Sequence, residues 1–244
     1  MPKFVDRLMD RYYPKGSDGI RFRDGTVPFY NWMLANLEGG SSVLNVGAGP
    51  TPPEPMRHVR GKVAKLVGVD PDPVVLTNRD LDEAFVNNGT ELPFQRATFD
   101  AVYADWTLEH VSEPGPFLAE VHRVLKPGGS FWFRTTNRNH YVNTVSALTP
   151  QWFHVLVANR ARGLDRTTHE PWPTRYRMNR RPVLTRHLRG AGFESVEIRM
   201  IESLPSYMVF NPMAFLVGVG YERLVNRFDG LRPLRQIIVG RARR

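Results

Sequence analysis

The chain has 244 residues, of which 41% are apolar and 23% charged, enough for one well-buried α/β domain that carries insertions. It contains no cysteine, which excludes disulfides, thiol nucleophiles and cysteine-ligated zinc or iron–sulfur centres. The seven histidines form no His-Glu-x-x-His pattern, so we expect no metal site. Because we find neither a secretory pattern nor an apolar run of about twenty residues, we expect a cytoplasmic location.

The net charge of +9 is unevenly distributed along the chain. Residues 1–150 carry 16 Lys and Arg against 17 Asp and Glu, whereas residues 151–244 carry 17 against 7. A strongly basic segment is typical of proteins that contact nucleic acid, an anionic membrane surface or an acidic substrate. Arginines spread over a solvated face would give the same count, so charge alone leaves these interpretations open.

The first strong pattern along the chain is Ser42-Val-Leu-Asn-Val-Gly-Ala-Gly-Pro50, an apolar strand that leads into a Gly-x-Gly turn. A second predicted strand ends in Asp70, at about the spacing of a nucleoside-binding edge. Glycines let backbone N–H groups approach a ligand closely, and a carboxylate can accept hydrogen bonds from both hydroxyls of a ribose. The pattern predicts an adenosine-containing ligand, and the alternative is an ordinary turn between strand and helix.

The residues after this turn argue against two common phosphate-binding motifs. Pro52 occupies the third glycine position of the dinucleotide fingerprint, and no Gly-Lys-Ser/Thr follows the turn. Asp72 competes with Asp70 as the ribose ligand, but it precedes Pro73 and an apolar run, which is typical of a helix N-cap. We therefore assign the ribose to Asp70.

Five further segments follow in a characteristic order and spacing. They are Leu92-Pro-Phe94, Thr98 to Asp105, Leu108-Glu-His-Val111, Glu120 to Gly129 and Ser130 to Arg134. Together with the glycine turn, they resemble the class I S-adenosylmethionine-dependent methyltransferases, in particular the branch that includes the ubiquinone and menaquinone methyltransferases. The resemblance covers Ser42 to Thr136.

This resemblance implies an α/β fold: a Rossmann-like, seven-stranded, mostly parallel sheet with helices on both faces and cap insertions after strands 5 and 6. We expect a single methyltransferase domain over residues 1–244. Its expected parts are an N-terminal lid (1–40), a cofactor-binding core (41–136) and two cap insertions (137–181 and 204–234).

The C-terminal part also shows regular elements of its own. The pattern from Pro182 to Phe193 predicts a helix with a glycine stop, and residues 194–201 alternate as a strand does. Residues 235–241 form the final predicted strand. As in the family it resembles, this strand is expected to insert antiparallel beside the previous one.

The resemblance further implies S-adenosylmethionine as the cofactor, with Asp70 on its ribose. Counting back from Leu92 places Asn88 against the adenine, and the alternative for Asn88-Gly89 is a simple turn. The end of the fourth strand should also face the cofactor. The full predicted cofactor set is Asn45, Gly47, Ala48, Gly49, Asp70, Pro71, Asn88, Gly89, Ala104, Asp105 and Trp106.

One position departs from the family pattern. Members of the family usually carry Asp or Glu two residues before the first glycine, where it receives the cofactor's ammonium, and here that residue is Asn45. Asparagine keeps an acceptor oxygen but lacks the charge, so we expect a lower cofactor affinity or another partner for the ammonium.

The lid and caps are rich in aromatic and arginine side chains, which favours a flat or long apolar acceptor with an anionic group. The predicted lid and substrate residues are Tyr13, Arg23, Tyr141, Trp152, Trp172 and Tyr176. In the second cap, an apolar run over residues 205–221 is followed by arginines at 223, 227, 232 and 235. This run either packs over the sheet or lies on an anionic membrane as a peripheral contact.

The expected reaction is an in-line transfer of methyl to a small-molecule or lipid-like acceptor, at oxygen or carbon. His110 and His140 are the candidate proton acceptors, although either could be a structural histidine. Two alternatives remain open. One is a nucleic-acid methyltransferase that uses the basic C-terminal part, which the absence of an Asn/Asp-Pro-Pro-Tyr/Phe motif disfavours, and the other is a non-catalytic homologue that only binds the cofactor.

Overall fold

A computed structural model of the chain describes residues 3–17, 19–148 and 172–244. The chain divides into two compact units. The helical unit contains Met1–Gly25, Asn137–Trp172 and Met200–Ile237, and the sheet unit contains Thr26–Thr136, Pro173–Arg199 and Ile238–Arg244. Within the described residues, we find no helix long and apolar enough to cross a membrane.

The sheet unit is built around a seven-stranded sheet in the order β3-β2-β1-β4-β5-β7-β6. The strands are Ser42–Val46 (β1), Lys65–Asp70 (β2), Glu83–Val86 (β3), Phe99–Asp105 (β4), Leu125–Thr136 (β5), Ser195–Ile201 (β6) and Ile237–Arg243 (β7). The pairs β1–β2, β1–β4, β2–β3 and β4–β5 are parallel. The predicted α/β class with a seven-stranded, mostly parallel sheet is confirmed.

Strand β7 runs antiparallel to both of its neighbours. The backbone N–H of Arg244 donates to Gly129 at the start of β5 (3.0 Å), whereas Gly240 lies against Phe133 further along that strand. On the other side, Glu194 donates to Arg243 (3.0 Å). The expected antiparallel insertion is thus present, with β7 between β5 and β6.

The central strands are apolar because helices cover both faces of a parallel sheet. Val43 and Leu44 of β1 and Val102 of β4 are fully buried, as are Phe131 and Phe133 of β5. The carboxyl ends of β1, β2, β4 and β5 lie at one edge of the sheet, since these strands are parallel. Residues that follow these strands are therefore brought to a common edge.

The helices of the sheet unit are Val27–Leu34 (α2), Pro114–Val124 (α3) and Arg181–Gly190 (α5), with short 3-10 turns at Pro55–Arg57 and Pro73–Thr77. The N-cap assignment of Asp72 is confirmed, because its Oδ1 accepts a hydrogen bond from the N–H of Val74 (2.9 Å) and Pro73 begins the 3-10 turn. The predicted glycine stop of α5 is also confirmed: the helix ends at Gly190, and Gly192 has φ +97°.

Two strand boundaries depend on the residues that precede them. Strand β5 begins at Leu125, directly after α3, and its pairing with β4 passes from Phe99↔Leu125 to Ala101↔Ser130. The residues between Leu125 and Ser130 are therefore out of register, with Gly128 at φ +78°. Strand β7 begins two residues later than predicted, because the N–H of Arg235 caps the preceding 3-10 turn Asp229–Leu234.

The helical unit contains Lys3–Tyr12 (α1), Tyr141–Leu148 (α4) and Pro212–Arg227 (α6). Helices α1 and α6 pack through one cluster of buried side chains: Val5, Met9, Tyr13, Val209, Phe215 and Val219. The hydroxyl of Tyr13 donates to Oε2 of Glu222 (3.1 Å), a carboxylate on the buried face of α6. Burial of these apolar side chains supplies the main stabilisation of the pair of helices.

We predict that Gly240→Ala in β7 destabilises the fold by about 1–3 kcal/mol, the usual cost of overpacking. A Cβ there would lie 2.2 Å from Cζ of Phe133 and 2.9 Å from the carbonyl oxygen of Glu197. Gly115→Ala in α3 is the matched control, because its added Cβ meets no atom of the described residues within 4 Å apart from its chain neighbours and its own helix backbone. Urea unfolding should show a lower stability for Gly240→Ala only, and equal values for the two variants would contradict this packing.

Candidate functional site

The turn after β1 is a glycine turn in the structure. Gly47 and Gly49 have φ +80° and +54°, a region that disfavours side chains. A Cβ at Gly47 would lie 2.1 Å from Oγ1 of Thr107, a hydroxyl that donates to the carbonyl of Val46 (3.0 Å). At Gly49, by contrast, a Cβ would meet no atom of the described residues within 4 Å apart from its chain neighbours. The turn therefore leaves its backbone accessible at Gly49.

Asp70, the last residue of β2, connects this turn to the next loop. Its Oδ2 accepts from the N–H of Gly49 (2.9 Å), and its Oδ1 accepts from the N–H of Asp72 (2.8 Å). Burial raises the pKa of the Asp70 carboxyl, and the two backbone N–H donors oppose that shift. Each carboxylate oxygen can accept a second hydrogen bond, so Asp70 retains capacity for a ligand.

A cleft of about 640 Å³ lies beside Asp70 at the end of β3. It is lined by Pro71, Val86, Asn87, Asn88, Thr90 and Glu91. Val86 is the register partner of Asp70, whose carbonyl accepts from the N–H of Asn87 (2.9 Å). The predicted residues Asp70, Pro71 and Asn88 are thus brought together at one edge of the sheet, in a volume typical of small-molecule sites.

Asn88 and Gly89 also have the features of a turn. Oδ1 of Asn88 accepts from the N–H and the hydroxyl of Thr90 (3.1 and 2.8 Å), and Gly89 has φ +79°. Asn88 nevertheless faces the cleft as a lining residue. Because Oδ1 already accepts twice within the turn, an adenine contact would have to use the amide N–H groups, and that contact stays a prediction.

Asn45 is buried in the interior of β1, at 8% exposure. Its Oδ1 has no hydrogen-bond partner among the described residues. An amide oxygen that is buried without a donor is costly unless a ligand or water supplies one. This is the position at which the sequence predicted an acceptor for an ammonium group.

Asp105, at the end of β4, is engaged by three side chains of the sheet unit. Arg134 donates to both of its oxygens, from Nε at 2.6 Å and Nη2 at 2.8 Å. The hydroxyl of Tyr30 donates to Oδ2 (2.8 Å), and the guanidinium of Arg57 lies 3.3 Å from the same oxygen. Burial raises the pKa of Tyr30 most, and the nearby Asp105 charge raises it further. The phenol therefore stays protonated and remains a donor. Direct cofactor contact by Asp105 stays a prediction.

The two neighbours of Asp105 differ in exposure. Ala104 is fully buried, whereas Trp106 is half-buried with φ +58° and carries the guanidinium of Arg134 4.8 Å from its ring centroid. A positive φ at a bulky residue is strained and is retained where the surroundings determine it. Trp106 is therefore held in place by the Arg134 network at the edge of the sheet.

Glu109 is a buried carboxyl that the sequence reasoning passed over in favour of His110. Its Oε2 accepts from the hydroxyl of Thr135 (2.7 Å), and Thr135 in turn accepts from the amide of Asn179 (2.6 Å). Burial raises the pKa of Glu109 to about 7. The available signal was a charged residue inside the apolar Leu108 to Val111 segment directly after a strand that ends at the ligand edge.

The two predicted histidines belong to different units. His110 is half-buried in the sheet unit, and its Nδ1 lies 3.3 Å from the carbonyl of Pro173. His140 is 1% exposed in the helical unit, with Nε2 3.2 Å from Oε1 of Glu202. Its ring packs against Tyr141 at 4.2 Å. His110 thus shares the unit of the predicted cofactor residues, whereas His140 is enclosed by its own unit.

The predicted lid and cap residues have the following positions. Tyr13 is buried in the core of the helical unit, and Arg23 pairs through Nε with Oε1 of Glu222 (3.2 Å). Tyr141 packs between His140 and Tyr221. Trp172 is exposed, and Tyr176 donates its N–H to the carbonyl of Glu109 (3.1 Å). Trp152 lies outside the described residues. The roles of all six stay predictions.

Comparison with known proteins shows which proteins this chain is similar to. Residues 44–133 match the family model described as a methyltransferase domain. The ubiquinone biosynthesis O-methyltransferase of Pseudomonas syringae pv. tomato is 29% identical over 147 residues, which cover 55% of this chain and 61% of that protein. The chain therefore aligns with about three fifths of the length of this curated relative.

Solved methyltransferase structures share the fold. Geranyl diphosphate C-methyltransferase from Streptomyces coelicolor A3(2) aligns with a TM-score of 0.58 and 14% identity, over 89% of this chain and 77% of that one. A methyltransferase in complex with the Haloferax volcanii Trm112 activator aligns with a TM-score of 0.57 and 18% identity, over 99% and 94%. These likenesses confirm the Rossmann-like fold class.

The matched segment includes strand β4, most of β5 and the glycine turn described above. The resemblance to class I S-adenosylmethionine-dependent methyltransferases is thereby confirmed. The match to a methyltransferase domain covers residues 44–133, 90 of the 244 residues of this chain.

We predict that Glu109 makes stability depend on pH. Because its pKa is raised from 4.5 to about 7, the folded protein binds this proton more tightly than the unfolded chain. The free energy of unfolding of the native protein should therefore fall, relative to Glu109→Gln, as pH rises from 4.5 to about 7, and the difference should stay constant above that range. The expected total is about 3 kcal/mol.

Urea unfolding at a series of pH values measures this difference. Glu113→Gln is the control, because Glu113 is exposed and its variant should parallel the native protein. If Glu109→Gln also parallels the native protein across the range, the buried carboxyl does not titrate as described.

Proposed function

We propose that this protein binds S-adenosylmethionine in its sheet unit and transfers the methyl group to a small-molecule or lipid-like acceptor, at oxygen or carbon. The proposal depends most on Asp70, whose carboxylate connects the glycine turn to the loop beside the cleft. When bound, S-adenosylmethionine supplies an electrophilic methyl group on a sulfonium centre.

The residues present fit this cofactor. Asp70 would hold the ribose hydroxyls, and Asn88 would contact the adenine from the wall of the cleft. The unpartnered Oδ1 of Asn45 matches an ammonium donor. The open space at Gly49 allows close approach of the ligand to backbone. The chain thus offers a group for the ribose, the adenine and the ammonium of the molecule.

The class of acceptor follows from two supporting observations. The curated relative acts, by its name, as an O-methyltransferase of ubiquinone biosynthesis, which favours an oxygen acceptor on an apolar molecule. The aromatic and arginine content of residues 137–181 and 204–234 favours an apolar acceptor with an anionic group. We therefore propose a phenolic or related hydroxyl that is attached to an apolar body.

The chain contributes to the reaction mainly by positioning the acceptor atom relative to the methyl group. Holding the acceptor atom in line with the methyl group in a site that excludes water supplies several kcal/mol of the barrier, as for other oriented reactants. We assign the proton acceptor to His110, because it lies in the sheet unit and is only half-buried. His140 is less suited, since it is buried in the helical unit.

We predict that Asp70→Ala weakens binding of S-adenosylmethionine about 10- to 100-fold, because hydrogen bonds from two hydroxyls to a carboxylate are lost. Isothermal titration calorimetry with S-adenosylmethionine and S-adenosylhomocysteine measures this change. Asp72→Asn is the matched control, because it removes a charge two residues away and retains an N-cap acceptor. The affinity of this variant for S-adenosylmethionine should differ from that of the native protein by less than about twofold.

Asp70 also stabilises two loops, so unfolding of each variant is followed in parallel. A native protein that binds neither compound would contradict the proposed function. An Asp70→Ala variant that folds and binds as tightly as the native protein would remove Asp70 from the site. Binding without transfer to any acceptor would favour the non-catalytic alternative.

We predict that His110→Ala lowers kcat about 100-fold without a matching change in cofactor affinity, the usual contribution of a general base. Transfer of labelled methyl to phenolic acceptors with and without apolar tails provides the assay. His187→Ala in α5 is the control for loss of an imidazole elsewhere in the sheet unit. A full kcat in His110→Ala, or a loss confined to His140→Ala, would contradict the assignment.

A further inference from the structure

Helix α6 presents an apolar stripe to solvent. Met213, Leu216, Val217 and Leu224 are exposed, by 73%, 38%, 64% and 50%. Their spacing, completed by Gly220, places them on one face of a helix, because residues three, four and seven apart lie above one another. The stripe extends about 16 Å from Met213 to Leu224 at the rise of an α-helix.

The opposite face of α6 already supplies the packing of the helical unit. Phe215, Gly218, Val219, Glu222 and Val225 are buried. A surface helix of a globular protein carries polar residues on its outer face. The stripe is therefore not needed to hold α6 in place, and a continuous exposed apolar face is typical of a surface that contacts something else.

An arginine-rich cleft of about 550 Å³ continues from the C-terminal end of this stripe. Gly220 and Leu224 belong to both features, and the cleft is also lined by Arg23, Arg223 and Arg227. Phe228, which is 54% exposed, adds an aromatic ring to its wall. Apolar and cationic groups are thus adjacent on one surface of the helical unit.

The cleft has an excess of positive charge. Glu222 pairs with Nε of Arg23 (3.2 Å) and Nε of Arg223 (3.4 Å), so one buried carboxylate faces two guanidinium groups. Within residues 3–17, 19–148 and 172–244, no carboxylate lies in ion-pair range of Arg227. The exposed residues of α6 include no acid. The surface is therefore complementary to an anion.

We propose that this surface, formed by the α6 stripe and the arginine cleft, docks the protein onto an anionic lipid bilayer. Met213, Val217 and Leu224 enter the boundary between headgroups and acyl chains, and Arg223 and Arg227 contact lipid phosphates. A helix in this orientation lies in the plane of the interface. Each arginine near an anionic surface adds to the affinity, and salt weakens that part.

A second copy of the chain fits the surface less well. In a two-fold symmetric dimer the same patch meets itself, and the exposed face of α6 would bring apolar groups and arginines but no acid. A bilayer with anionic headgroups supplies both an apolar layer for the stripe and negative charge for the arginines. The charge complementarity of the patch thus favours lipid.

Co-sedimentation of the full chain with vesicles tests the proposal, with phosphatidylcholine alone compared with phosphatidylcholine mixed with phosphatidylglycerol. We expect binding to the anionic vesicles only, weakened by added salt. Val217→Glu should lower the partition coefficient about tenfold, since it places a charge in the apolar stripe. Arg227→Gln should lower it about fivefold.

Matched controls make the same chemical changes in the sheet unit. Leu76→Glu alters a leucine that is 61% exposed, and Arg186→Gln removes an exposed arginine of α5. Both should bind vesicles as the native protein does. All four variants should keep the native unfolding transition, which separates loss of docking from loss of fold.

Three results would overturn the proposal. The first is the absence of vesicle binding, and the second is equal binding to neutral and anionic vesicles. The third is binding that Val217→Glu and Arg227→Gln leave unchanged. Light scattering on the same samples tests whether a second copy of the chain covers the stripe instead. A dimer that Val217→Glu dissociates, without vesicle binding, would assign the stripe to that second copy.

Discussion

The bidentate ion pair between Arg134 and Asp105 is the interaction on which the sheet unit depends most. The two residues are register partners at the ends of β4 and β5, and both are buried. Tyr30 of α2 and Arg57 of a 3-10 turn complete the set around the carboxylate. Removing charge from water is costly unless every partner is present. The network therefore fixes two strands, one helix and one turn relative to one another.

This constraint separates the roles of the two acids at the sheet edge. Asp105 is surrounded by cations and a phenol, and it is engaged in holding the fold together. Among the described residues, the hydrogen bonds to the Asp70 carboxylate come from the backbone N–H groups of Gly49 and Asp72. Each of its oxygens keeps a lone pair that can accept a hydrogen bond from a ligand with hydroxyl donors. The same edge of the sheet thus holds one carboxylate that stabilises the fold, Asp105, and one that can still accept hydrogen bonds from a ligand, Asp70.

Much of the fold could be predicted from the sequence, because the signals are local. The strand before the glycine turn, the N-cap at Asp72 and the stop of α5 near Gly190 depend on neighbouring residues, and all are present. Of the candidate site, Asp70, Pro71 and Asn88 come together as expected. Glu109 was missed because its importance lies in burial and in Thr135, 26 residues away. Helix α1 and the buried position of Tyr13 were likewise not predicted, since they depend on α6.

The sequence by itself determined the class of fold, the glycine turn and the candidate ribose acid, because these follow from the order of residues along the chain. Only the tertiary structure decided which acid at the sheet edge is engaged by side chains and which carboxyl is buried. It also decided which face of α6 is exposed to solvent. Helical periodicity shows that α6 has apolar residues on two sides, but the packing of α1 selects the side that is buried. Burial, charge pairing and pKa all depend on groups that distant segments bring together, and no local pattern specifies them.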